Sequence, residues 1–430
     1  MNAPSRLLVR TLLTAVSSLF LLPCSLFAQG PLTPPGAPAP TMKTLDQLDA
    51  KLDTKLESRI AINATNTPGV PGTLFQITQP GSYFLTGNIT GVSGKSGIAI
   101  AVGGVKVDLN GFELSGVAGS LDGVAASGPL GQSNFAVVNG SVRNWGRHGV
   151  DLRTASADGN RVVDVQTSTN GGSGIAVGPG FTLLNCSALG NSADGIVTGG
   201  GCAISNCSAS QNTGAGISTL SSCTVLNCAA ISNTGNGFSL SDGCTISNCS
   251  AYNNANGIAV SFGGTISNCA VHGNRGDGIQ TGGGCTISNC SAYTNLGNGI
   301  LTNNSSVVSE CAAKSNTLDG IICVASCLIR ANICSSNGTV GSTGGIHATG
   351  DQNRIEGNTC TNGRRGVTVD GARNVIINNT CSGNTTDWVL ASGNVIGPIV
   401  DRRSFLSSTV NGFSAASTLG TTEPNANFSY

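Results

Sequence analysis

The dipeptide Gly-Ile, or a close variant, recurs at Gly97, Gly123, Gly149, Gly174, Gly195, Gly216, Gly237, Gly257, Gly278, Gly299, Gly320, Gly345 and Gly366, in steps of 20 to 26 residues. A short period held this steadily means one supersecondary unit stacked many times. In the unit at 202–219, three short apolar pieces (202–204, 207–209 and 216–219) alternate with turn residues. None reaches the roughly 10 to 12 residues a helix needs. Three short strands and three turns predict one rung of a solenoid. Each strand pairs with its counterpart about 4.8 Å along the axis. The crossover rule makes the coil right-handed. Thirteen Gly-Ile sites predict about 13 rungs.

Composition fits such a body and excludes several functions. Charged residues are 10% of the chain and the formal net charge is zero. Ordinary globular domains carry about 25% charge. There is no basic excess to attract nucleic acid or an anionic membrane. Gly accounts for 62 of 430 residues, about twice its usual share of roughly 7%.

The N-terminal 28 residues read as an export signal: Arg6 and Arg10 precede an apolar run over 12–22, and Ala28 suits a cleavage point. The run is too short for a stable membrane span. Residues 29–41 are a Pro-rich linker. Residues 42–62 read as a short amphipathic helix with Leu45, Leu48, Leu52 and Leu56 on one face. The coil spans 63–396, and 397–430 form a tail or cap. A secreted, periplasmic or cell-surface location follows.

Stacking turns spacing into columns. A turn position holds Cys186, Cys207, Cys228, Cys249, Cys269, Cys290 and Cys311, then Asn332, Asn358 and Asn379. Five residues on, a second column runs Asn191, Asn212, Asn233, Asn254, Asn274, Asn295 and Asn316. The thiols have three readings. Buried free Cys packs as a small hydrophobe, an exported chain forms disulfides, and Cys also binds metal. Packing explains the column most simply, and no metal is expected.

The stretch VDLNGFELSG at 107–116, with NRIEGNTC at 353–360 and NVIINNTC at 374–381, resembles right-handed parallel β-helix proteins of the pectate-lyase-like superfamily. Within it the sequence resembles the bacterial proteins built from short β-helix repeats. The resemblance covers about residues 70–395. It implies an all-β right-handed parallel β-helix solenoid. It also implies an extracellular polysaccharide as partner. Enzymes of that superfamily set carboxylates, Lys, Arg or calcium-binding Asp on the outer face of one sheet. Calcium is therefore expected only if this chain is a lyase.

On the Gly-Ile strand the outward positions Ala176, Val197, Ser218, Ser239, Ala259, Gln280, Leu301 and Ile322 hold no charge. The densest polar group lies earlier, where the period loosens. Asp122 falls one rung below His148, with Asp151 and Arg153 beside them. These four are the candidate catalytic residues, as a general acid/base patch, with Trp145 as a surface on which a sugar could stack. Asp277 and Asp319, two rungs and about 9.6 Å apart, are a weaker candidate pair at the wide limit for inverting glycosidases. Tyr252, His272 and Tyr293 form an outward aromatic ladder, a candidate binding surface. His347, Asp351, Arg354, Arg364, Arg365, Asp370 and Arg373 read as capping. Two function classes stand: a non-catalytic exported protein that binds polysaccharide or serves as a surface scaffold, and a polysaccharide lyase or glycoside hydrolase acting near Asp122, His148 and Asp151.

Overall fold

The computed structural model describes Thr44, residues 58–401 and residues 422–430. The export signal, the Pro-rich linker and most of the expected helix lie outside the described residues. Where that helix was to end, Ile60–Ala61 is instead a β-strand, paired in parallel with Tyr83 and Phe84. The next residue, Ile62, is buried, and its N–H donates to the Phe84 carbonyl at 2.9 Å. An open strand edge is a template for pairing, and this segment takes it. No helix occurs among the described residues.

Each rung places one short strand in each of three columns. In the unit read above these are Ala203–Ser205, Ser208–Ser210 and Ile217–Thr219. Every strand pairs in register with its neighbour one rung on: Ile204 with Val225, Ala209 with Ala230, Ile217 with Phe238. The first two columns form one 30-stranded sheet and the third forms a 15-stranded sheet. Thirteen rungs was therefore an undercount. Thr73–Ile77 and Thr386–Leu390 stand in the third column without a Gly-Ile mark. Partial turns at both ends bring the coil to about 16 turns.

The repeated dipeptides have separate physical causes. Between the first and second columns the chain turns on one residue in the left-handed region, for example Asn206 at φ 53° and Asn227 at φ 53°. Asn tolerates that conformation better than most side chains. The following Cys then points inward, 2% exposed at Cys207 and Cys228. The Gly of Gly-Ile answers a close approach. A Cβ at Gly195 would meet the Gly216 carbonyl at 2.6 Å and Asn212 Nδ2 at 2.7 Å. No larger residue fits beneath that amide.

The core holds Ile, Val, Ala and Cys in columns, with asparagine ladders among them. Asn191 Nδ2 donates to Asn212 Oδ1 at 2.9 Å, and Asn212 to Asn233 at 3.0 Å. The ladder runs from Asn170 to Asn337. A second passes from Asn332 through Asn358 and Asn379 to Asn427, in the strand Asn427–Ser429. That strand pairs with Thr380 and Cys381, so residues from the C-terminal tail complete the last turn. Satisfied amides make a buried polar column stabilising rather than costly.

The 16 described cysteines are all buried and free. The Cys207 thiol donates to the Ser205 carbonyl at 3.3 Å, while Cys207 N–H donates to Cys228 Sγ at 3.4 Å. Thiol thus replaces amide in the turn, with weaker bonds and a smaller volume.

Candidate functional site

The outward side of the third column forms a shallow trough. One end is a groove of about 330 Å³ running from Arg153 past Pro179 and Val197 to Leu220. The next four rungs hold a groove of about 200 Å³ between Ser239 and Asn303. The two occupy adjoining sets of rungs, eight in all, which corresponds to about 34 Å along the axis. The floor carries hydroxyls, one amide and small apolar groups. Leu220, 60% exposed, and Phe262, 63% exposed, stand along one edge.

At the Arg153 end lies the expected polar cluster. Asp122 ends the turn before the strand Val124–Ala126, His148 the turn one rung on, and Asp151 sits within Val150–Leu152. His148 N–H donates to Asp122 Oδ1 at 3.0 Å. Arg153 donates from Nε and Nη2 to the two Asp151 oxygens at 2.9 and 2.7 Å. Arg147 reaches Asp122 Oδ2 at 3.5 Å. The structure therefore brings Asp122, His148, Asp151 and Arg153 together, with Arg147 added.

His148 is constrained further. The Ser173 backbone N–H donates to its Nδ1 at 3.0 Å. Arg153 Nη2, which can only donate, lies 3.1 Å from Nε2, and a neutral imidazole accepts at one nitrogen alone, so the two contacts compete for its single lone pair. Burial, helped by Arg153 and Arg147 and opposed by the two aspartates, holds His148 below the usual imidazole range. Burial pushes Asp151 up, but its hydrogen bonds and charge contact with Arg153 outweigh this, so its carboxyl titrates below the ordinary range. Ser173 contributes its N–H and not its hydroxyl, so no nucleophile completes an Asp-His-Ser triad.

Asp122, His148 and Asp151 each offer one ligand atom, all within 4.8 Å of one another. The donor set fits a cation poorly. Both carboxylates already face a guanidinium, and both imidazole nitrogens already meet a donor.

One expectation needs correction. Trp145 is 1% exposed, and its Nε1 donates to the Leu114 carbonyl at 3.2 Å. It fills the core and offers no face to a sugar. Counting back 25 residues from Asn170 would have found it: Trp145 N–H donates to Asn170 Oδ1 at 3.1 Å, so the indole occupies the inward ladder position. Tyr252, His272 and Tyr293 do form a ladder, with centroids 4.5 and 4.7 Å apart and ring planes 20° and 2° from parallel. Stacked on one another, the rings present edges rather than faces outward. Asp277 and Asp319 belong to a turn ladder. Asp277 Oδ1 accepts from Asn298 N–H at 2.7 Å, and Asn298 Oδ1 accepts from Asp319 N–H at 3.1 Å.

One cluster escaped the sequence reading. His347, placed among capping residues, bridges two carboxylates: Nδ1 to Asp319 at 3.2 Å and Nε2 to Asp370 at 2.8 Å. The Asp319 hydrogen bond, then that of Asp370, outweighs burial and raises its pKa. Extending the outward column one rung past Ile322 leads directly to His347.

A family model described as a right handed beta helix region matches residues 130–267. The fold is a right-handed parallel β-helix. Among solved structures, this β-helix resembles the A-module of Azotobacter vinelandii mannuronan C-5 epimerase AlgE6, at 16% identity and TM-score 0.44, covering 74% of this chain and 91% of that one. It also resembles bacteriophage CBA120 tailspike protein 3, at 10% identity and TM-score 0.45, covering 83% and 64%. Pectate lyase Pel9A aligns at 19% identity and TM-score 0.34, covering 56% and 72%. These likenesses concern the coil and carry nothing about activity. A search of curated proteins finds no sequence match.

Proposed function

We propose that this β-helix is an exported protein that binds a polysaccharide along the third-column trough, without cleaving it. The observation that carries this reading is the pair of grooves over eight adjoining rungs, uncharged beyond Asp151 and Arg153 at one end. Its width is one strand and its polarity is that of hydroxyls and amides, which suits an extended glycan lying along the axis. At its mouth stand the guanidinium groups of Arg153 and Arg147. Such donors favour a sugar oxygen or carboxylate there. No helix among the described residues is long and apolar enough to cross a membrane.

The same cluster bears on catalysis. A general base needs a free lone pair and a general acid needs a proton near working pH. The contacts of His148 and Asp151 with Ser173 and Arg153 supply neither. The convergence of Asp122, His148 and Asp151 still favours the enzyme reading as the rival, a polysaccharide lyase or glycoside hydrolase. One screen separates the two. Purified protein is incubated with neutral and uronate-containing polysaccharides, with and without calcium, following binding and product together. Binding without product supports the proposal, and Ser239→Arg with Ala259→Arg should then weaken it by about tenfold or more, roughly 1.4 kcal/mol. Product formation that disappears in His148→Ala would overturn it.

A further inference from the structure

A lone exposed apolar residue is ordinary on a protein surface. Phe262 differs in what surrounds it. It follows Ser261, which lines the groove of about 200 Å³. Its backbone is held on both sides: its N–H donates to Asp242 Oδ1 at 3.1 Å, and its carbonyl accepts from Gly243 N–H at 2.8 Å. The ring leans over the next rung, where two glycines leave room for it. A Cβ at Gly282 would stand 3.2 Å from Phe262 Cδ1, and one at Gly283 would stand 3.8 Å from it. The ring is thus seated on backbone and still 63% exposed.

The rung that carries those glycines also supplies a polar group. Gln280 is its outward residue, in register with Ala259 below and Leu301 above, and it lines the same groove. Asn256 Nδ2 donates to Gln280 Oε1 at 2.9 Å. That contact spends the oxygen end of the amide and leaves its NH2 to donate elsewhere. An apolar wall beside a few placed polar groups is the usual composition of a small-ligand site. The charges nearby do not suit an anion. Asp242 is exposed one rung below Phe262 in the equivalent turn. Arg275, in the turn before the Gln280 strand, donates Nη2 to the carbonyls of Asn233 and Thr234 at 3.1 and 2.8 Å.

We infer that Phe262 and Gln280 form a sugar subsite within the trough, one that selects an uncharged pyranoside chain over a polyuronate. The C–H face of one sugar ring lies on the phenyl face, whose negative quadrupole attracts it. A hydroxyl of the same sugar accepts from the Gln280 NH2. A uronate carboxylate would meet Asp242 as a like charge, and repulsion of the wrong partner is as much a source of specificity as attraction of the right one. Such a subsite requires the trough to be the glycan site, as proposed above.

Calorimetric titration of the full-length protein tests this with two soluble probes, a neutral β-glucan and polygalacturonate, at low salt without calcium. The glucan should bind more tightly. Phe262→Ala should weaken it by about tenfold, while Phe262→Tyr should keep it, because the ring face remains. Gln280→Leu should cost about two- to tenfold, the loss of one hydrogen bond. Both side chains are exposed, and circular dichroism checks that the coil is intact. Glucan binding that survives Phe262→Ala unchanged but is lost in Ser239→Arg with Ala259→Arg would overturn the subsite and leave the trough standing. Tighter binding of polygalacturonate than of glucan would overturn the selectivity and leave the trough standing. Failure of both polymers to bind would overturn the subsite and the trough together.

Discussion

Two histidines stand about nine rungs, or roughly 43 Å, apart, His148 in the turn before the third column and His347 on that column's outward face, and their surroundings drive them in opposite directions. His148 meets a backbone N–H and a guanidinium, and its pKa falls. His347 meets a carboxylate on each nitrogen, and its pKa rises. The residue type is identical, and so is the fold around it. The difference lies in which partners the adjoining turns deliver. One end of the coil therefore disfavours the charged imidazole, and the other favours it.

The contrast is broken most severely at Trp145. Replacing this buried indole by Ala should cost about 3 to 5 kcal/mol in urea unfolding, and it should disorder the His148 end selectively. Gly97 and Gly123 crowd the ring, where a Cβ would lie 2.9 and 3.0 Å from it, so no neighbour can collapse into the space. At the other end, Asp319→Ala removes the acceptor for Gly344 N–H and for His347. A smaller loss of about 1 to 3 kcal/mol is expected, that of an orphaned buried donor, along with a fall in the His347 pKa seen by NMR titration.

Thermal unfolding followed from about pH 5 to 8 sharpens the comparison. The raised pKa of His347 contributes stability that is full below the unfolded value near 6.5 and is lost as pH rises through the folded value. The lowered pKa of His148 does the reverse, with its contribution full above 6.5 and lost as pH falls toward the folded value. His347→Gln should therefore remove a decline on the alkaline side, and His148→Gln a decline on the acid side. A shared slope in both variants would refute the assignment. The smallest effect belongs to Arg153→Ala. An exposed ion pair is worth about 1 kcal/mol or less, yet the substitution should raise the pKa of Asp151 measurably and lower affinity at the trough mouth.

The columns were legible because an in-register coil converts residue spacing into position with no further geometry. Cys207, Asn212 and Ile217 each fell where periodicity put them. Legibility failed where rung length changed. Between Gly123 and Gly174 the steps are 26 and 25, and the extra residues hid that Trp145 stands in line with Asn170. His347 was hidden differently. Its rung carries a 25-residue step, and its carboxylate partners come from two other rungs, which only three-dimensional stacking joins. The Asp122, His148 and Asp151 grouping could be read from the rung count alone. Which atoms bonded which could not, because the contacts of His148 depend on the Ser173 N–H and on the reach of Arg153.

The asparagine ladder has an electrical consequence. Each side-chain amide from Asn170 to Asn316 donates an N–H to the amide oxygen one rung toward the C-terminus, and each oxygen from Asn191 to Asn337 faces the N-terminal rung. Backbone bonds along the axis run both ways, as in Ala203 N–H to Phe181 and Ile196 N–H to Gly216, and largely cancel. The amides do not cancel. Their dipoles add head to tail, with the negative pole toward the N-terminal rungs, opposite in sense to an α-helix. This rod is therefore polarised along its length, and each rung added to it lengthens that dipole.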